Sequence, residues 1–314
     1  MTDPVSPTLG PLRAEFAPLP NPVIIFNKSH SGSRVLAELM TAGGVFMGAH
    51  CNESGDSLDM LDLVTFLVGK YYPDYSRLWA ANSPADEELA SLVRSSFQGH
   101  FEGYDRQAAM PWGWKLCETT YILPVLDYLF PQAKFIHLIR DGRDVAFCDH
   151  HGPSDAWWRK IYFNTDRIQT LHGMRLTGPA YRRRSPVFNA LHWMNSVTVG
   201  MNFGMMLRER YLEVRYEELC GNFVPVAQRV LEFAGAPDPE AAMRRMEPKV
   251  HATSVGKFRR HSRRDVRQVM EIIKPLLLSL GYLREDPERP SWSLWHSAIA
   301  DKLTDRLRQS RRRK

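Results

Sequence analysis

The first residues that could do chemistry form a short polar loop directly after an apolar run. The loop consists of Lys28, Ser29, His30, Ser31, Gly32, Ser33 and Arg34. Hydroxyls and a glycine let donors approach an anion closely, and when such a loop opens a helix, the free N–H groups of the first turn attract the anion further. The pattern indicates either a phosphate or sulfate site or a plain strand-to-helix turn with a serine N-cap.

A second candidate group follows the apolar run Phe135–Ile139, where the chain reads Arg140-Asp-Gly-Arg-Asp144. A guanidinium is always charged at neutral pH and presents a fork of donors that suits a phosphate. The alternative is a structural turn in which Asp141 and Asp144 pair with the two arginines. Either reading places Arg140 at the end of a buried strand.

The first loop lacks the phosphate-binding motif of P-loop kinases and nucleotide hydrolases. That motif needs a Lys-Ser or Lys-Thr pair after its second glycine, whereas Gly32 is followed by Ser33 and Arg34. No apolar strand ending in aspartate supplies an obvious magnesium ligand. A nucleotide or small-molecule kinase therefore remains only an alternative, and the sequence predicts no metal.

Alternating strands and helices must position these groups. Strands are predicted at Pro22–Phe26, Trp112–Leu116, Lys134–Ile139 and Tyr211–Arg215. Helices are predicted from Val35, over Leu58–Lys70, Pro84–Ser96 and Thr119–Phe130, from Asp144, and over Ser154–Leu171, Ser185–Arg210, Phe223–Ala234 and Arg264–Leu280. The alternation predicts an α/β fold, a single domain with a central parallel sheet of P-loop-like topology flanked by helices. Ligands of such sheets bind at the carboxyl ends of the strands.

Composition limits the function classes. The 314 residues are 44% hydrophobic and 24% charged, which is ordinary globular usage and excludes a disordered chain. No apolar run approaches the roughly 20 residues of a membrane span. The four cysteines, Cys51, Cys117, Cys148 and Cys220, are scattered without metal-ligand spacing, which favours a reducing compartment and a cytoplasmic location.

The positive charge is concentrated at the carboxyl end. Seven basic and two acidic residues lie within Ala300–Lys314, so this tail holds five of the six net positive charges and the nearly neutral body predicts no nucleic-acid groove. We predict an irregular N-terminal segment over 1–21, a domain over 22–286 and a basic C-terminal helix or tail over 287–314. The tail either packs on the body or makes a peripheral contact with anionic lipid.

Five segments in the same order resemble the sulfotransferases that use 3'-phosphoadenosine 5'-phosphosulfate (PAPS). They are the loop Lys28–Ser33, Trp114–Glu118, the strand that ends in Arg140-Asp-Gly-Arg-Asp-Val, Glu213–Leu219 and Ser254–Arg259. Together they span about residues 22–284, and their style is closest to bacterial and carbohydrate-type members. The resemblance implies PAPS as donor and no metal cofactor.

The resemblance also implies roles for individual residues. The first loop, from Lys28 to Arg34, would hold the 5'-phosphosulfate, with Lys28 assisting departure of the bisphosphate. Tyr216 would lie beside the adenine. The 3'-phosphate would be held by Arg140, by Cys148 where the family usually has serine, and by the late loop Lys257, Phe258 and Arg259. A thiol is a weaker donor than a hydroxyl, so the cations must carry more of that contact.

The general base that removes the acceptor proton has three candidates. Glu53 is the first choice, because carbohydrate- and tyrosine-type members use a glutamate shortly after the first helix. Glu118 stands at the offset where other members use a histidine, and His50 is the third candidate. The expected activity is O-sulfation of a small-molecule, glycosyl or glycolipid acceptor. A non-catalytic binder acting through the basic tail is the other alternative, and the oligomeric state is left open.

Overall fold

The computed structural model describes residues 6–80, 83–108, 110–148 and 185–284. The predicted helix over Ser154–Leu171 and the basic tail over 287–314 lie outside the described residues. Within them, no helix is long and apolar enough to cross a membrane.

Four parallel strands form the sheet of the described residues. They are β1 (Val23–Asn27), β2 (Gly113–Lys115), β3 (Lys134–Ile139) and β4 (Tyr211–Arg215), in the spatial order β2-β1-β3-β4. The registers pair Ile24 with Trp114 and Phe135, and Ile136 with Leu212. The predicted α/β fold with a central parallel sheet is confirmed, and each predicted strand is present within two residues of its expected ends.

Helices cover both faces of the sheet. Their bounds are α1 (Leu9–Phe16), α2 (Arg34–Ala42), α3 (Asp59–Lys70), α4 (Ser76–Trp79), α5 (Glu87–His100), α6 (Leu123–Leu129), α7 (Gly142–Ala146), α8 (Pro186–Leu207), α9 (Tyr216–Gly221), α10 (Phe223–Ala234), α11 (Pro239–Met246) and α12 (Arg263–Ser279). Short 3₁₀ turns lie at Cys117–Tyr121, Arg208–Arg210, Glu247–Lys249, Ala252–Ser254 and Lys257–Arg260.

Burial of β1 on both sides explains its continuous apolar sequence. Ile24 and Phe26 point into one core cluster, which includes residues of α3, α5 and α6. Val23 and Ile25 point into the other, which includes residues of α2 and α10. Because successive side chains of a strand alternate between faces, a strand covered on both faces must be apolar throughout. The polar loop after β1 therefore begins at a rigid, fully buried anchor.

The prediction of an irregular segment over 1–21 is wrong, because α1 occupies part of it. Leu9, Leu12 and Phe16 are buried at helical spacing, and the Phe16 ring lies 4.8 Å from that of Phe97. Pro11 lies in the first turn of the helix, where its missing N–H group costs no hydrogen bond. Proline content alone was therefore a poor guide to this segment.

Proline and capping residues also move two predicted helix boundaries. The expected helix over Thr119–Phe130 is divided into a 3₁₀ turn and α6, because Pro124 stands in the first turn of α6 and starts it rather than continuing an earlier helix. The helix expected from Pro84 begins later, after Asp86, whose carboxylate accepts a hydrogen bond from the Leu89 N–H at 3.2 Å.

Candidate active site

The loop after β1 turns sharply at the carboxyl end of the sheet. The Ser31 N–H and hydroxyl both donate to the Lys28 carbonyl, at 3.2 and 2.6 Å. His30 and Gly32 have φ angles of 67° and 88°, so the backbone passes twice through the left-handed region before α2 begins. A β-carbon at Gly32 would overlap the ring of Tyr216, so only glycine fits both this conformation and this contact.

Lys28, the first residue of the loop, has only 1% of its surface exposed. Its Nζ donates to the Ser29 hydroxyl and lies 3.4 Å from the Ser29 carbonyl. Burial lowers the pKa of Lys28 to about 8, an effect opposed by the nearby Cys117, Glu118 and Cys148. The ammonium group is therefore mostly charged at neutral pH but loses its proton in mildly alkaline solution.

Arg140 joins three segments that are far apart in the sequence. It follows β3, and its guanidinium donates to the His30 carbonyl at 3.1 Å and to the Ser254 carbonyl. The same group lies 4.8 Å from the centre of the Tyr216 ring, while its Nε is buried without a hydrogen-bond partner among the described residues. The two predicted groups of cations thus meet at one edge of the sheet.

The late loop is fastened to the same place by Asp144. Its carboxylate accepts hydrogen bonds from the N–H groups of Gly256, at 2.8 Å, and Phe258, at 2.9 Å. Lys257 lies between these two anchored residues and Arg259 follows them, and both are exposed, whereas Phe258 is buried. The anchored backbone therefore presents the two cations outward, and the Phe258 side chain serves the packing.

Cys148 lies near the same cations. Its thiol donates to the Asp144 carbonyl at 3.3 Å, and the charges nearest to it include Arg140, Lys28 and Lys257. Burial raises the pKa of this thiol. It is therefore neutral at physiological pH and adds no negative charge to an anion site.

Comparison with known proteins gives the family of the chain. The model of the Sulfotransferase family matches residues 22–240, which is more than half of the sequence. The chain belongs to the sulfotransferase family. No curated protein matches it in a sequence search.

Solved structures of other sulfotransferases are similar at low sequence identity. The sulfotransferase domain of the Synechococcus PCC 7002 olefin synthase is 18% identical, with 82% of this chain and 95% of that one covered and a TM-score of 0.43. Sulfotransferase STF9 from Mycobacterium avium is 13% identical, with coverages of 87% and 83% and a TM-score of 0.42. Mouse sulfotransferase SULT7A1, solved in complex with PAP, is 12% identical, with coverages of 84% and 88% and a TM-score of 0.42.

One carboxylate of this sulfotransferase, Glu118, interacts with the charge of Lys28. Glu118 is partly buried just after β2, close enough for its charge to interact with that of Lys28. Burial raises the pKa of Glu118, and the negative charge of Asp56 raises it further. A carboxylate with a raised pKa is a better proton acceptor than an ordinary one.

Sequence reasoning missed Asp56. Its Oδ1 lies 2.8 Å from the Nζ of Lys115, a buried lysine of β2 that also donates to the Ser54 carbonyl at 3.0 Å. The available signal was Lys115 itself, because a lysine in a short apolar strand needs a buried partner. The ion pair draws the turn 51–57 onto the end of β2.

The other two base candidates lie farther out on this part of the chain. Glu53 is exposed on the turn closed by the bridge between Cys51 and Ser57. His50 is exposed as well, with its Nδ1 3.1 Å from Asp59 Oδ1 and its Nε2 3.3 Å from Glu102 Oε2. Of the three candidates, Glu118 is the one that interacts with Lys28.

The turn also contacts the first loop directly. A guanidinium nitrogen of Arg34, at the start of α2, donates to the Ser54 hydroxyl at 3.3 Å. Leu58 and Leu61, just after the turn, have 47% and 39% of their surfaces exposed. The turn therefore combines a link to the anion loop with an apolar surface.

Proposed function

We propose that this sulfotransferase moves the sulfuryl group of PAPS onto a hydroxyl of a small-molecule, glycosyl or glycolipid acceptor. The observation that carries the proposal is the convergence at Arg140, which joins the loop after β1, the end of β3 and the late loop. Family membership supplies the type of group transferred.

The residues present fit a nucleotide with an anion at each end of its ribose. The first loop and the start of α2 suit the 5' end, where backbone N–H groups and Lys28 attract an anion. Arg140, Cys148 and Lys257 suit the 3'-phosphate. The Nε of Arg140 is buried without a hydrogen-bond partner among the described residues, so one donor of this guanidinium is left unsatisfied by the protein.

The roles of the chain's own groups follow from the charge changes in sulfuryl transfer. As the acceptor oxygen bonds to sulfur, it must lose its proton, and we assign that proton to Glu118, with Glu53 and His50 as the alternatives. The oxygen that leaves with the nucleotide gains negative charge, and Lys28 stabilises it. The exposed Leu58 and Leu61 favour an acceptor with an apolar part.

Calorimetry with adenosine 3',5'-bisphosphate (PAP) tests the proposal, together with an assay of sulfuryl transfer from PAPS to a panel of hydroxyl compounds. We expect PAP to bind without metal and transfer to occur with at least one acceptor class. Magnesium ATP is the control ligand. Binding of magnesium ATP without binding of PAP would contradict the proposal and favour a kinase.

The lowered pKa of Lys28 predicts that PAP affinity depends on pH. Lysine is charged below its pKa, so the dissociation constant should be nearly flat around pH 7 and rise by up to about tenfold per pH unit above pH 8. Above pH 8 both phosphates of PAP are fully ionised, because their second pKa is about 6, so the ligand itself adds no pH dependence in that range.

Calorimetric titrations at pH 7 to 9.5, in buffers of different ionisation enthalpy, measure both the affinity and the proton uptake. The Lys28→Arg variant is the control, because arginine stays charged throughout this range. Equal pH dependence in the two proteins, with no proton uptake by the wild type at pH 8.5, would exclude Lys28 as the titrating group.

A further inference from the structure

Asp144 is a fully enclosed carboxylate near the proposed cofactor site, and it has no role in the proposed chemistry. Its side chain has no exposed surface, and one of its oxygens lies 3.5 Å from the nearest guanidinium nitrogen of Arg140. Each of its two oxygens accepts one backbone N–H of the late loop, from Gly256 and from Phe258. Burial of a charge is costly unless its oxygens are engaged, and both oxygens of Asp144 are engaged by the late loop.

The two hydrogen bonds span a large sequence distance and leave the loop little freedom. They join α7 to residues 112 and 114 positions later. Gly256 adopts a φ of 74°, and a β-carbon there would come within 2.8 Å of the Arg259 guanidinium. Lys257 lies between the two anchored N–H groups, so its position relative to Arg140 is set by the Asp144 carboxylate.

We infer that Asp144 is a positioning residue that makes the site selective for the 3'-phosphate of the nucleotide. It holds Lys257 and Arg259 on the late loop in place and orients Arg140, without touching the ligand. The inference rests on the proposed function, because it assumes that these cations meet that phosphate. Loss of the clamp should remove the contribution of the 3'-phosphate and leave the binding of the rest of the nucleotide intact.

The test compares two ligands that differ only in that phosphate, PAP and AMP, by calorimetry or by competition. In Asp144→Asn, the amide oxygen still accepts one N–H, but the amide NH₂ faces the other donor. We expect PAP affinity to fall about 10- to 100-fold, as for loss of a hydrogen bond to a charged group, while AMP affinity changes less than about threefold. The ratio of PAP affinity to AMP affinity should therefore fall by close to the same factor as the PAP affinity.

Asp141→Asn is the matched control. Asp141 is also buried, but it pairs with Arg143 and caps α7, and among the described residues its carboxylate accepts no hydrogen bond from the late loop. Only its partner Arg143 approaches that loop, 4.4 Å from the centre of the Phe258 ring. General damage to α7 should change PAP and AMP affinity together and leave their ratio intact. If Asp144→Asn does not fold, Gly256→Ala is the second variant. Alanine rarely adopts a φ of 74°, so this change should displace the same loop and give the same loss of selectivity.

The outcomes separate this inference from the proposed function. A wild-type protein that binds PAP no better than AMP contradicts the proposed function. A selective wild type whose Asp144→Asn and Gly256→Ala variants keep the full PAP-to-AMP ratio overturns the positioning role alone.

Discussion

Replacing Glu118 by glutamine is expected to lower kcat by about 10²- to 10⁴-fold, the usual contribution of a general base, while PAP affinity stays within a fewfold of the wild type. The side chain keeps its size and loses only its ability to accept a proton. The prediction follows from the interaction between the charges of Glu118 and Lys28 and from the raised pKa of Glu118, which burial and Asp56 both produce. Steady-state sulfuryl transfer measures the loss.

Glu53→Gln and His50→Asn are the parallel variants, and both should retain most of the activity. The pH profile adds an independent measure, because the wild type should lose activity as the pH falls through the pKa of Glu118 and the carboxylate becomes protonated. That acidic limb should be absent in Glu118→Gln. A large loss of activity in Glu53→Gln, with Glu118→Gln nearly unaffected, would identify Glu53 on the exposed turn as the general base.

The Lys28→Met variant should lose about 10²- to 10³-fold in kcat, similar to the removal of a charge-stabilising donor from other active sites. Methionine keeps much of the length of the buried side chain but has no charge to offer the departing oxygen. PAP affinity should fall as well, because the product carries that charge. Single-turnover transfer and PAP calorimetry measure the two effects separately.

Two other basic residues of the same loop serve as controls. Arg34→Ala removes an exposed group that bonds to Ser54, and His30→Asn keeps a residue type that tolerates positive φ. Both should cost less than Lys28→Met. If His30→Asn costs more, the histidine rather than the lysine meets the leaving oxygen.

Much of the fold could be predicted because β1 and β3 are buried on both faces and are therefore short apolar runs with β-branched residues. Lys134–Ile139 was predicted with the bounds that the structure has. So was Tyr211–Arg215, although only Val214 of this edge strand is buried. The helix α1 was missed because prolines masked a helical spacing of only three apolar residues. Local sequence pattern therefore predicted the elements except where proline, which occurs both in irregular segments and in the first turn of helices, was ambiguous.

The site was less accessible to sequence reasoning because its decisive contacts join distant segments. Each cation cluster was visible alone, but the bonds from Arg140 to His30 and Ser254 cross more than a hundred residues. Asp56 was overlooked because its partner Lys115 belongs to another element. Glu53 was preferred over Glu118 on family resemblance, which carries no information about which carboxylate interacts with Lys28.

The contact between Gly32 and the ring of Tyr216 sets a one-way requirement between the two positions. A side chain at position 32 would overlap the tyrosine ring and would also have to hold a φ of 88°, which residues other than glycine rarely adopt. A smaller residue at position 216 would relieve the overlap but leave the backbone strain, so exchange of the glycine should be harmful with or without exchange of Tyr216. The tyrosine can therefore be transplanted into another enzyme only together with a glycine at the facing loop position.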